Sequence, residues 1–131
     1  MKLKSSFQIT SWDAEPVEES TEAVDLSKAV IKKSFSGELE GTSIGYGVFC
    51  KTAAETGGYT VVEVVTGATE DGREGSFVIQ HYGIRDANQG GPWHGDVVPG
   101  TGTDGFAGVT GKFKIEHGDA GAFFIFDLEF E

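Results

Sequence analysis

Glu63 is the residue whose surroundings most invite a chemical reading, because it interrupts the run Val61-Val62-Glu63-Val64-Val65 and sets one acid among four valines. Turned inward, such a carboxyl needs a partner or a raised pKa, and a neutral carboxylic acid beside a histidine is a serviceable proton donor. His81 is the natural partner. The segments carrying Glu63 and His81 are expected to form a hairpin around Asp71-Gly72, and the two share a face if odd positions pair with odd ones. The opposite register sets Val62 and Val64 with Phe77 and Ile79 and leaves Glu63 in water beside Gln80 and Tyr82. The sequence leaves both registers open and tilts toward the solvent-facing one. Tyr46, Tyr59, Tyr82 and Trp93 all fall within strand-like segments, where an amphipathic aromatic either fills an interior or offers a ligand one polar contact. The candidate catalytic pair is therefore Glu63 and His81, and the candidate ligand-binding residues are Tyr46, Gln80, Tyr82 and Trp93.

Other motifs have blander readings. Gly100-Thr101-Gly102-Thr103-Asp104-Gly105 matches the glycine pattern of a dinucleotide-binding loop, but that loop needs a strand before it, a helix after it and a parallel sheet. Phe106 to Gly111 holds two more glycines and at most one helical turn, so a tight loop whose Phe106 and Val109 plug a barrel end is the preferred reading. His81, His94 and His117 show no metal-ligand spacing, and His94-Gly95-Asp96 supplies only one of the two histidines that a cupin-like site wants. No metal and no cofactor are expected. The serines lack a nucleophile-elbow context, and Cys50 has no partner in the sequence and reads as packing.

The elements that must position these residues are strands. Period-two alternation recurs in short segments separated by Gly, Asp and Asn clusters. Strands are expected at Leu3 to Trp12, Leu26 to Phe35, Leu39 to Lys51, Tyr59 to Gly67, Gly75 to Arg85, Trp93 to Val98, Gly111 to His117 and Ala122 to Phe130. Turns are expected at Ser36-Gly37, Gly57-Gly58, Asp71-Gly72, Asn88-Gln89-Gly90-Gly91 and Gly118-Asp119-Ala120-Gly121. Between Asp13 and Asp25 six acids and no helical apolar stripe predict a solvated acidic loop. Eight strands joined by short links suit an all-β, closed antiparallel barrel with little helix, since closure removes exposed edges. A two-sheet sandwich is the alternative. In the last hairpin, setting His117 opposite Ala122 brings Ile115 to Phe124 and Phe113 to Phe126, while Lys112 faces Asp127. Phe124, Phe126, Leu128 and Phe130 then point inward, and Phe123 and Ile125 leave an apolar outer wall that self-association would cover.

Composition bounds the rest. The chain has 131 residues, 38% hydrophobic, with 20 glycines and 3 prolines, which suits one globular domain over 1–131. A formal net charge of −11 argues against nucleic acid and anionic membrane surfaces. No apolar run approaches a spanning length. Phe7-Gln8-Ile9-Thr10 alternates where a signal peptide would be continuously apolar, and a single cysteine excludes an internal disulfide, so a cytoplasmic location is expected.

Six segments carry a family resemblance: Phe7-Gln8-Ile9-Thr10-Ser11-Trp12-Asp13, Ser34-Phe35-Ser36-Gly37-Glu38-Leu39-Glu40-Gly41, Ser76-Phe77-Val78-Ile79-Gln80-His81, Val97-Val98-Pro99-Gly100-Thr101-Gly102, Phe106-Ala107-Gly108-Val109-Thr110-Gly111 and Asp127-Leu128-Glu129-Phe130. Over nearly its full length the chain resembles an uncharacterised bacterial domain family grouped with allene oxide cyclase and the plant dirigent proteins. The resemblance implies an eight-stranded barrel with a lumen and oligomers that pack through their outer walls, here a dimer or a trimer. It implies no activity, and no catalytic residue is carried over.

Three functional readings follow. The first is a barrel that binds an apolar or aromatic small molecule in its lumen, lined by Tyr46, Glu63, His81 and Trp93. The second is a cofactor-free isomerase or cyclase in which Glu63 and His81 move a proton. The third is a ligand-free interaction module acting through its outer wall.

Overall fold

The computed structural model describes residues 1–86, 93–119 and 121–131. Eight strands are present: β1 Lys2–Pro16, β2 Val24–Gly37, β3 Leu39–Thr52, β4 Gly57–Thr69, β5 Glu74–Arg85, β6 Trp93–Val97, β7 Thr110–Gly118 and β8 Gly121–Glu129. They close in sequence order into one antiparallel barrel, β8 returning to β1. The sandwich alternative is excluded, and the only helical element among the described residues is a 3-10 turn at Asp104–Phe106. The expected turn at Asn88-Gln89-Gly90-Gly91 lies outside the described residues, as does Ala120 in the last turn.

Alternation decides what the barrel contains. Leu3, Phe35, Leu39, Val65, Phe77, Ile79, Val97, Phe113, Phe124, Phe126 and Leu128 pack into one buried core. Phe106 and Val109, both fully buried, join that core and stop one end of the barrel. The Gly100–Gly105 segment leads only into the 3-10 turn and not into the helix that a dinucleotide-binding loop needs. The Thr101 hydroxyl accepts from the Val78 amide at 3.0 Å and donates to the Val98 carbonyl at 2.7 Å, while the Thr103 amide donates to the Ser76 carbonyl. These bonds continue the ladder along β5 where β6 is too short to cover it.

The last hairpin has the expected register, with His117 opposite Ala122, Ile115 opposite Phe124, Phe113 opposite Phe126 and Lys112 opposite Asp127. The ion pair goes elsewhere. Lys112 bonds Asp96 of β6 at 2.8 Å, because in a closed barrel each residue has a cross-strand neighbour on both sides. Phe123 and Ile125 are half-buried, and the Lys4 ammonium lies 4.5 Å from the Phe123 ring centroid.

The acidic loop is shorter than expected. β1 continues through Pro16 and β2 begins at Val24, so Asp13 to Pro16 pair with Ser27 to Val30. Their charges face solvent, and Glu15 meets Lys28 at 3.2 Å. β8 pairs only with Lys2 to Ser6 of β1, so this half of β1 is an edge, where a proline is tolerated. β1 to β5 run 12 to 15 residues, whereas β6 to β8 run 5 to 9. The barrel is thus stopped at one end and rises into a tall, open wall at the other.

Candidate functional site

The open end holds a pocket of about 750 Å³, within the range of small-molecule sites. Its wall includes Phe7, Ile9, Trp12, Ile31, Phe49, Tyr59, Val61, Trp93 and Ile115, and Lys33 and His81 lie at its deep side. Trp12 is there because of a bulge in β1. The register shifts between Ile9 and Ser11, so Ile9 pairs Lys33 and Trp12 pairs Ile31, and both face the same side although strict alternation would separate them. An aromatic path descends from the rim, with ring centroids 4.9 Å apart for Trp12–Phe49, 5.7 Å for Phe49–Tyr59 and 5.5 Å for Tyr59–His81.

At the floor, β4 and β5 pair odd with odd, Val61 against His81 and Glu63 against Ile79. The solvent-facing register favoured from sequence is therefore overturned. Facing inward, β4 buries Val61, Glu63 and Val65 completely while Val62 and Val64 remain exposed. Three side chains from three other strands converge on the acid. Lys33 Nζ of β2 donates to Glu63 Oε1 at 3.0 Å, His81 Nε2 of β5 lies 2.8 Å from the same oxygen, and the Ser43 hydroxyl of β3 donates to Oε2 at 2.5 Å. The far side of His81 continues the chain, Nδ1 lying 3.2 Å from the Tyr59 hydroxyl of β4.

Burial alone raises the Glu63 pKa, but the His81 hydrogen bond, the Lys33 and His81 charges and the Ser43 hydroxyl outweigh it, and the carboxyl sits at about 2, below its usual 4.5. Glu63 is the anion of the cluster and not the neutral proton donor envisaged from sequence. As an anion it accepts from Nε2–H, which turns the other ring nitrogen, Nδ1, toward the Tyr59 hydroxyl. Burial, and next the Glu63 charge, push the Tyr59 phenol up to about 12. Tyr59 is consequently a neutral hydroxyl, held within hydrogen-bond distance of His81 Nδ1 at the pocket wall.

The other expected ligand residues divide. Trp93 lines the pocket and its ring packs edge-on against His117 at 4.8 Å. Tyr46, Gln80 and Tyr82 occupy even positions and lie exposed on the outer wall, so the structure does not bring them to the lumen. His94 is exposed beside Tyr82. No group of three His, Cys, Asp or Glu side chains among the described residues is arranged to hold a metal. Lys33, Ser43 and Trp12 belong to the site without having been singled out, and Tyr59 was noted only as one of the strand aromatics.

A family model described as a protein of unknown function, DUF3224, matches residues 3–130. The chain belongs to the DUF3224 family. Among solved structures, the crystal structure of a DUF3224 protein of unknown function from Shewanella oneidensis MR-1 is 32% identical, covers 100% of this chain and 97% of its own, and superposes with a TM-score of 0.88. No curated protein matches. The two chains share the DUF3224 barrel, and the chemistry here is argued from the pocket itself.

Proposed function

We propose that this DUF3224 protein binds an apolar or aromatic small molecule in the open half of its barrel. The observation that carries the reading is the pocket of about 750 Å³, whose walls are aromatic and aliphatic and whose floor is a buried polar cluster. That combination gives a ligand apolar contact area and a few fixed polar groups to orient it. The likeness to the allene oxide cyclase and dirigent barrels, which shape a bound apolar substrate inside the barrel, points the same way.

Both tryptophans of the chain, Trp12 and Trp93, stand in the pocket wall, so their fluorescence reports on that site. Titration with an anilinonaphthalene sulfonate dye is expected to give saturable binding of one dye per barrel with energy transfer from tryptophan. Trp93→Ala weakens it about tenfold, the equivalent of roughly 1.4 kcal/mol, while the folded circular dichroism is kept. Absence of saturable binding, or unchanged affinity in Trp93→Ala, refutes the reading. Native mass spectrometry of gently purified protein adds the natural cargo, as a discrete mass lost on denaturation.

The outer wall supports a homo-oligomer. Ile44, Tyr46, Val48, Val62, Val64, Tyr82 and Ile84 are exposed on the adjacent strands β3, β4 and β5, a larger apolar area than the half-buried Phe123 and Ile125.

A further inference from the structure

Lys33 is only 7% exposed, lines the pocket, and gives one N–H to Glu63 Oε1. Its other two N–H groups have no oxygen partner among the described residues. Nζ lies instead 5.0 Å from the Phe124 ring centroid and 5.3 Å from that of Phe7. Tyr59, which also lines the pocket, holds its proton toward His81 Nδ1 as long as the imidazole is neutral. The floor therefore has unused donors and one hydroxyl whose direction is set by the protonation of His81.

The charges around His81 can be counted element by element. β4 brings Glu63 and Tyr59, β2 brings Lys33, and β3 brings the neutral Ser43. β7 and β8 bring only the rings of Phe113 and Phe124, and β6 brings Gly95, whose backbone packs on the His81 Cβ. Asp25, Lys51, Glu55, Arg85 and His117 stand among the pocket's lining residues. At the floor, the Lys33 ammonium and the Glu63 carboxylate cancel. If His81 takes a proton, the floor holds two cations and one anion, and one further buried negative charge restores balance.

We propose that the ligand is an apolar or aromatic molecule carrying a single carboxylate, bound head-down against Lys33 and Tyr59 with one proton taken up by His81. This rests on the binding reading above and names its ligand class. The proton comes from solvent and adds to the Nδ1 lone pair. Nδ1–H then donates to the Tyr59 oxygen, and the Tyr59 O–H turns into the pocket to donate to the carboxylate beside the Lys33 ammonium. No bond other than N–H is made, and the negative charge of the ligand is matched by the positive charge of His81.

The test uses naphthoate, its methyl ester and methylnaphthalene, competed against the dye on the full chain. Naphthoate is expected to bind at least about tenfold tighter than the ester. Calorimetry in two buffers of different ionisation enthalpy at about pH 8 is expected to show uptake of about one proton for naphthoate and none for the ester. Lys33→Met removes the preference for the acid. Because that variant leaves Glu63 without its ammonium and is at risk of not folding, Tyr59→Phe is the second variant. It keeps every ion pair and is expected to lower the acid-to-ester ratio several-fold. If none of the three compounds binds, the binding reading itself fails. If all three bind equally, the pocket is apolar without the carboxylate site and the present inference is overturned, and a preference for naphthoate without proton uptake overturns the role given to His81.

Discussion

Glu63 is fully buried and ionised at once, a state that acidity probes directly. Its folded pKa of about 2 lies below its usual 4.5, so between these values the unfolded chain binds the proton and the folded chain does not. The stabilisation is complete above about pH 4.5 and is lost as pH falls toward about 2. A shift of this size corresponds to roughly 3 kcal/mol. Urea unfolding of the wild type is expected to weaken by about that much through this window, and Glu63→Gln is expected to lack that part of the pH dependence. At neutral pH the same variant is less stable by about 3 kcal/mol, because Lys33 is left buried without a counter-charge. A pH profile of Glu63→Gln that parallels the wild type below pH 4.5 would show that the carboxyl titrates in the open. Glu63 and His81 were legible because an acid between valines stands out. Lys33 carried the same signal, falling in phase with Ile31 and Phe35, but lysine is an ordinary outward residue, and Leu26 and Val30 put apolar side chains on the opposite phase of that segment as well. Ser43 and Tyr59 are unremarkable by type, and only the closure of the sheet brings them to the acid.

The turn expected at Gly57-Gly58 falls just before these residues, and both glycines pair within β4, whereas strand number and the register of the last hairpin were readable because alternation is a local signal. The bulge in β1 was not, since an extra residue at Thr10 changes no composition, yet it carries Trp12 to the pocket. Acids from Asp13 to Glu15 read as a loop because charge usually marks solvent, whereas here an edge strand meets solvent too. The inward glycines of the open end tell a similar story. A Cβ on Gly83 would lie 2.1 Å from Trp93 Cδ1 and 2.8 Å from Tyr59 Cε1. Gly83 pairs with Trp93, so the missing side chain is the space in which the indole is seated. Gly83→Ala is expected to cost about 1–3 kcal/mol by overpacking, to shift tryptophan emission and to weaken dye binding. Gly118→Ala, where a Cβ meets nothing within 4 Å, is the control and should change none of these. Unaltered emission in Gly83→Ala would mean that the indole is not held by this contact.

At the scale of the whole molecule, an apolar outer wall and a net charge of −11 pull in opposite directions. Ile44 stands opposite Val64 and Tyr46 opposite Val62, all four exposed, and Val30, Tyr46, Val48 and Val62 border a hollow of about 660 Å³ on this face. A second copy docking face to face about a two-fold axis would bury both walls with one set of contacts. Bringing two such chains together also concentrates negative charge, and salt screens that repulsion over about 8 Å at physiological ionic strength. Self-association through this wall should therefore strengthen as salt is raised, opposite to an interface built on ion pairs. Sedimentation velocity at increasing sodium chloride is expected to show mass rising above the 13.9 kDa of one chain toward twice that value. Tyr46→Thr with Val62→Thr keeps both the net charge and the β-preference of the wall while removing its apolar area, and should sediment as a single chain at every salt concentration. A wild type that stays a single chain at high salt would leave the wall uncovered by a copy of itself, and association that weakens with salt would place the contact on charged residues elsewhere on the barrel.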